Sequence, residues 1–414
     1  MANAQTLAPR PTHIPETLLY DFDIHRDAGL LSDPHKRVLE IIREAPPVFW
    51  TPRNGGHWMV LKYQDVFNVL RDTAVFSSSL IPPEHKAAIA AMTPPGEQRI
   101  ISMTPIFMDP PDHTRYRLPL QRAFSPKTMT ALKGDVEALA HELVDAVIDK
   151  GGCDFFSDIA EQLPVRVFLR LMGLPEDRLA EYRALVREIF APAGDDPMAQ
   201  IRRMRRIVDV MTPAILARRE APTSDLISQL WAMEVEAQPM TLELMEDYAG
   251  LIFLAGLDTV INAMSFGVRH LALHPRLQAQ LRARPELIDE AAEELLRRYT
   301  FTMTMRRVTT DTELAGATLK AGETVIVYMP AADLDADQFS DPAVFDVERE
   351  GKVHVAFGAG PHRCLGSHLA RIELQTLYDV ILKRLPEFRL DPGRPVTFQA
   401  GMMLTIASLP LRWD

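Results

Sequence analysis

Cys364 stands in the turn Phe357-Gly-Ala-Gly-Pro-His-Arg-Cys-Leu-Gly366, with a helical pattern behind it through Leu369, Ala370 and Leu374. Gly358, Gly360 and Gly366 permit a tight backbone and the close approach of a flat ligand. Amides around the cysteine, and the start of the following helix, favour a thiolate there. A thiolate aimed at open space is a nucleophile or a metal ligand. A lone cysteine elsewhere is more often a small buried hydrophobe.

A second group lies in Leu254-Ala-Gly-Leu-Asp258-Thr259-Val-Ile-Asn262. Asp258 and Thr259 interrupt an apolar helical stretch. A threonine hydroxyl can bond a carbonyl one turn back, and Gly256 inside a helix costs about 1 kcal/mol against alanine. The third group is cationic. His113 and Arg117 are spaced i, i+4, on one helix face, with Arg306 and His362 further along. Taken singly, each reads as a solvated surface charge. Glu294 and Arg297 form an i, i+3 pair, and Arg349 follows about fifty residues later.

The string Phe-x-x-Gly-x-His-x-Cys-x-Gly at 357–366 resembles the haem-binding signature of the cytochrome P450 family. The resemblance runs from about residue 30 to 414 and is strongest to soluble bacterial, camphor-type monooxygenases. It implies the cytochrome P450 fold and thiolate-ligated haem b, with Cys364 as the iron ligand. A thiolate pushes electron density toward O–O cleavage. It also implies that Asp258 and Thr259 deliver protons for oxygen activation beside a helix bulged at Gly256. His113, Arg117, Arg306 and His362 match the propionate-binding positions, and Phe357 and Gly256 border the cofactor. Glu294, Arg297 and Arg349 match a buried structural ion network. The substrate pocket maps to Met92, Ile101, Leu251, Leu254, Thr302, Met402 and Met403, an apolar and adaptable set. Two departures bear on this picture. Residues 99–107 carry no tyrosine, and Ile101 falls near the position where camphor-type relatives bind a ketone. Thr304 stands where those relatives carry an aspartate near a propionate.

Positioning these groups takes a large, mostly helical chain. Its 414 residues are 47% hydrophobic and 24% charged, ordinary for a globular protein. The net charge of −11 makes nucleic acid an improbable partner. Two cysteines and no Cys-x-x-Cys argue for a reducing cytoplasm. The start lacks a signal peptide pattern, and the longest apolar run, 251–257, is too short to span a bilayer.

Residues 1–35 read as an irregular arm, and 36–414 as one domain. A helical pattern at 34–45 leads into a hairpin at 48–61 and another helix at 62–72. Residues 73–110 are loop-rich, broken by proline pairs. Helical patterns follow over 114–150 and 155–235, then one long helix from 241 to 274 and another at 286–298. Short strands alternate over 306–330. The Cys364 helix runs to about 384, and the tail is strand-like. The fold class is mainly α with a minor β portion.

The expected activity is insertion of one oxygen atom of O2 into a C–H bond of a small apolar molecule, terpenoid- or norisoprenoid-like. Electrons would come from an iron–sulfur ferredoxin with an NADH-dependent reductase, since the chain has no flavin or nicotinamide fingerprint and no cluster cysteines. Arg115, Arg117 and Arg122 would form a basic patch for that acidic donor. A monomer is expected. The rival readings are a peroxide-driven haem peroxygenase, a non-catalytic haem sensor and a non-haem cysteine nucleophile enzyme.

Overall fold

The computed structural model describes residues 7–81, 99–190 and 199–414. Among the described residues, helices form the bulk, and five small sheets lie among them. The largest sheet has the spatial order Val48–Thr51, His57–Val60, Thr324–Val327, Thr304–Val308, Phe76–Ser77. Its pairs are antiparallel except that of Thr324–Val327 with His57–Val60. Trp58, Met59 and Val60 are fully buried. The sheet is therefore covered on both faces, and its strands read as continuous apolar runs rather than as alternation.

Helix starts follow local chemistry. Asp33 caps Pro34–Glu44 by accepting from the Lys36 amide, and Pro34 fills the first turn, where no donor is needed. Thr241 caps Leu242–Gly256 by accepting from the Leu244 amide at 3.2 Å. The arm is more ordered than its composition suggests. It carries the short helix Ala28–Ser32, and Ile14, Phe22, Ile24 and Leu30 are buried in the core.

The single helix expected over 241–274 is two helices, Leu242–Gly256 and Asp258–Leu273, broken at Leu257 (φ −102°, ψ −66°). Thr259 Oγ1 donates to Ala255 O at 3.0 Å, and Asn262 Nδ2 donates to Asp258 O at 3.0 Å. Side chains thus satisfy carbonyls beside the break. The combined stretch 242–273 is long and apolar enough to cross a membrane, unlike the run 251–257 alone, yet most of it is buried inside the protein. An all-round apolar helix buried in protein is a core helix.

Two large apolar cores meet along this broken helix. One gathers Leu139, Phe155, Ile261, Phe266, Leu377 and Trp413. The other gathers Phe168, Tyr182, Val208, Tyr248 and Phe253. Leu369 and Ile372, on the helix Ser367–Arg384, pack against both. The Cys364 helix therefore floors the seam between them.

Glu294 and Arg297 are both fully buried. Arg297 Nε and Nη2 donate to the two Glu294 oxygens at 2.8 Å each, and Arg349 Nε donates to Oε1 at 3.0 Å. Arg297 also donates to Asp333 O at 2.7 Å and Pro342 O at 3.0 Å. A buried charge is tolerated only when paired and hydrogen-bonded. Here one carboxylate and two guanidiniums staple the 333–349 loops to the helix Ile288–Arg298. Replacing Arg297 with methionine strands Glu294 and the loop carbonyls, and should cost about 3–5 kcal/mol of stability. A urea unfolding midpoint indistinguishable from that of the parent protein would contradict this.

Candidate active site and cofactor cradle

The Cys364 turn is built by glycines where glycine is needed. Gly358 and Gly360 adopt φ of +68° and +69°. A Cβ on Gly360 would also stand 2.7 Å from Leu70 O, so the turn packs directly on the helix Tyr63–Arg71. Gly366 has ordinary φ and open space around it, so it needs no glycine for conformation. The Cys364 amide donates to Phe357 O at 2.8 Å, closing the turn.

Cys364 is exposed by surface area, yet burial dominates the environment of its thiol. Both hold when a residue lines an enclosed cleft, where a small probe reaches it but bulk water does not solvate it. Burial raises the Cys364 pKa, against the Gly366 amide and Arg117, Arg363 and Arg371, which pull it down. The expected thiolate-favouring turn is thus present but outweighed by desolvation in the protein alone. A coordinated metal supplies the missing charge and deprotonates such a thiol outright. Cys153 is different: it is buried, and its thiol is pushed up to about 12.

The four sequence-predicted cations are brought together. His113 and Arg117 lie on the helix Asp112–Ala123, Arg306 on the strand Thr304–Val308, and His362 in the Cys364 turn. The His113 and His362 rings stand 4.0 Å apart, centre to centre. Arg117 donates to Arg363 O. Burial holds His113 at about 4, His362 at about 3 and Arg306 at about 10, each below its ordinary value. Among the described residues, both His113 ring nitrogens, His362 Nε2, Arg117 Nε and Arg306 Nε are buried with no hydrogen-bond partner. Buried polar atoms are nearly always paired. Neutral imidazoles each carry one N–H, and the Arg117 and Arg306 Nε–H groups are also unmet, so several buried donors here await an acceptor, and haem carries two carboxylates. The residues present fit that group. Arg306 also donates to Thr304 Oγ1 at 3.0 Å, so the threonine occupies a donor that an aspartate would pair with.

Across the seam, Ala255 and Gly256 are exposed in mid-molecule, and a Cβ on Gly256 would touch nothing within 4 Å. Beside them, burial pushes the Asp258 carboxyl up to about 6. Asp258 opens the first turn of its helix, which favours its charge, but desolvation wins. The Thr259 proton is committed to Ala255 O, so the hydroxyl offers lone pairs to its other neighbours.

The predicted pocket residues divide in two. Ile101, Leu251 and Leu254 belong to one core; Met402 and Met403 pack on the other. A single β-bridge joins Thr302 to Met403, and the Met303 amide donates to Met402 O at 3.0 Å. The two groups therefore flank the seam from opposite sides. Met92 lies outside the described residues. Arg115 does not serve a free basic patch: it pairs with Asp112 at 3.2 Å and Glu236 at 3.1 Å. Sequence reasoning missed Glu236, which sits on a small hairpin 121 residues away and carries no local signal.

Comparison with known proteins agrees with this geometry. The cytochrome P450 family model matches residues 198–413. A probable cytochrome P450 127A1 from Sinorhizobium fredii is 31% identical, over 98% of this chain and 97% of its own. The crystal structure of CYP101J2 superposes with a TM-score of 0.87 at 32% identity, covering 98% of this chain and all of that one. That of CYP101C1 gives 0.88 at 29% identity, with the same coverage. This chain belongs to the cytochrome P450 family, as a monooxygenase whose cofactor is thiolate-ligated haem b.

Proposed function

We propose that this enzyme inserts one oxygen atom of O2 into a C–H bond of a small apolar substrate, terpenoid- or norisoprenoid-like, with electrons from a ferredoxin and its NADH-dependent reductase. The observation that carries the reading is the convergence of the orphaned cations, the Cys364 turn and the Asp258–Thr259 break on one seam between two apolar cores. Bound in that seam, haem supplies the activation of dioxygen and the oxidising power for insertion.

The chain's own groups do the rest. Cys364 would hold the haem iron through its sulfur, His113, Arg117, Arg306 and His362 would hold the haem carboxylates, and Phe357 and Gly256 would line the cofactor. Asp258, with its pKa near 6, holds a proton at its carboxyl close to working pH and passes it inward. The Thr259 hydroxyl is a hydrogen-bond partner beside the break. Ile101, Leu251, Leu254, Thr302, Met402 and Met403 orient the substrate and exclude water. Arg122 and Arg363, both exposed, remain as cations near the Cys364 face for an acidic donor. We place the enzyme in the cytoplasm as a monomer, away from nucleic acid and membrane, in keeping with its charge and its buried apolar helix.

The reading is tested by the carbon-monoxide difference spectrum of the reduced protein, followed by product analysis with a ferredoxin system and terpenoid substrates. Cys364→Ala should abolish the red-shifted band of thiolate ligation; a retained band would remove Cys364 from the iron. Thr259→Ala should keep haem and substrate binding but divert electrons from product to hydrogen peroxide. Unchanged product per NADH would exclude the hydroxyl from proton handling.

Asp258→Asn should slow turnover by about 10²-fold, the lower end for general acid–base groups. It should also change the pH dependence of stability. The folded protein binds a proton at Asp258 more tightly than the unfolded chain, so this carboxyl destabilises increasingly as pH rises from its unfolded value through about 6. The asparagine variant should then be the more stable protein at pH 8, with its advantage shrinking toward pH 5. Unfolding midpoints that differ equally at both pH values would contradict the raised pKa.

A further inference from the structure

Outside the cofactor site lies a second buried charge cluster. Asp247, 5% exposed, accepts four donors from one short segment. Arg99 Nη1 donates at 2.8 Å, the Ser102 amide at 3.0 Å and Thr104 Oγ1 at 3.1 Å; the Ser102 hydroxyl is the fourth. Arg99 also donates to Glu243 O at 2.7 Å and Glu246 Oε2 at 3.3 Å. Arg205, on the helix Ala199–Glu220, grips Glu246 at 2.9 and 3.0 Å. Within this cradle Met103 holds φ +50°, a left-handed conformation that a non-glycine residue keeps only where its surroundings over-determine it.

Between Arg99 and Ser102 sits Ile101, and opposite it is Gly250. A Cβ on Gly250 would stand 3.0 Å from Ile101 Cγ2, 3.2 Å from Val208 Cγ2 and 3.3 Å from Met204 Sδ. A mid-helix glycine costs stability, so this one is explained by the notch it leaves. Gly250 and Leu254 stand one turn apart, on the run that leads to the exposed Ala255–Gly256 pair.

We propose that Asp247 sets substrate selectivity as a positioning residue: it gathers Arg99, Ser102 and Thr104 so that Ile101 is held in the Gly250 notch as a fixed wall of the substrate pocket. The inference rests on the assignment of Ile101 to that pocket. A four-donor carboxylate is a rigid anchor, and a wall held rigidly discriminates shape better than one free to repack. Because the wall is purely aliphatic, the ligand class it selects is apolar and is sorted by bulk, not by a carbonyl.

The test uses the haem-loaded enzyme and ligands that bind iron from the substrate side: imidazole, 4-phenylimidazole and a biphenyl-substituted imidazole, titrated by Soret shift. Asp247→Asn should leave bare imidazole unchanged within about twofold, while the biphenyl-to-phenyl ratio of dissociation constants falls about tenfold as the wall yields. Gly250→Ala should move that ratio the other way, by pushing Ile101 into the pocket. Should Asp247→Asn not retain haem, Ser102→Ala removes one of the four donors and should move the ratio in the same direction by less. A ratio unmoved in these variants, or an equal weakening of all three ligands, overturns the proposal. Ile101→Ala separates the two ideas. If it leaves the ratio unchanged, the pocket assignment itself fails. If it moves the ratio while the Asp247 and Gly250 variants do not, only the positioning role fails.

Discussion

Charge inside an apolar interior is the constraint on which the rest depends. The cofactor brings two carboxylates and needs a sulfur anion, none of which oil-like surroundings tolerate alone. On the proposed reading, the protein would answer with His113, Arg117, Arg306 and His362, drawn from a helix, a strand and the cysteine turn. Each is desolvated, and each retains a buried nitrogen without a protein partner. Groups left so are unfavourable in themselves and become favourable when the cofactor's acceptors arrive. The cradle is thus destabilised on its own account and repaid by its ligand, which couples cofactor binding to folding stability.

The two sides of the seam are built for different tasks. On the cysteine side, Arg371 lies over the Phe357 ring at 4.6 Å and binds Glu293, which in turn meets His354 at 3.2 Å. With the Glu294–Arg297–Arg349 network beside it, this side is fixed by paired charge. On the opposite side, the helix is broken, Gly256 faces open space, and the Asp258 carboxyl stands near its titration point. Paired charge makes the cysteine side rigid, and a local irregularity on the other side brings a threonine hydroxyl and a carboxyl close together; under the proposed function these would hold the metal ligand and move protons. Sites of this kind break local rules where chemistry requires it.

How much of this was legible in the sequence follows from the range of each interaction. The Cys364 turn, the Asp258–Thr259 pair and Glu294–Arg297 could be read because each is a contiguous motif. The helical and strand segments could be read from period, caps and proline breaks. The irregularity beside Gly256 was implied by the resemblance rather than by periodicity, since Leu242 to Leu273 is apolar throughout; that it splits the helix at Leu257, and which carbonyl Thr259 takes, depend on backbone geometry. The Asp247 cradle was not legible, because its donors lie 143 to 148 residues away. The pairing of Arg115 with Glu236 was hidden for the same reason, and with it the true charge of that surface. The resemblance brought the pocket together as one list, whereas the fold splits the described members between two cores.

The strand Pro410–Trp413 lies between Phe388–Leu390 and Gly152–Asp154, at the centre of its sheet. Asp154 accepts from the Leu409 amide 255 residues along, and Trp413 Nε1 reaches back to Ile148 O. During synthesis, then, the first half of the chain emerges with one flank of its main core uncovered. Among the described residues, the neighbour of Gly152–Asp154 in its sheet is Pro410–Trp413. The cysteine turn emerges only about fifty residues before that strand, so the turn and the strand that covers the core leave the ribosome almost together. Contacts this distant form late and slowly. The order of assembly is therefore written into the topology: a nascent chain stopped short of residue 409 exposes apolar surface that invites aggregation, and Pro410–Trp413 is the strand that completes this sheet.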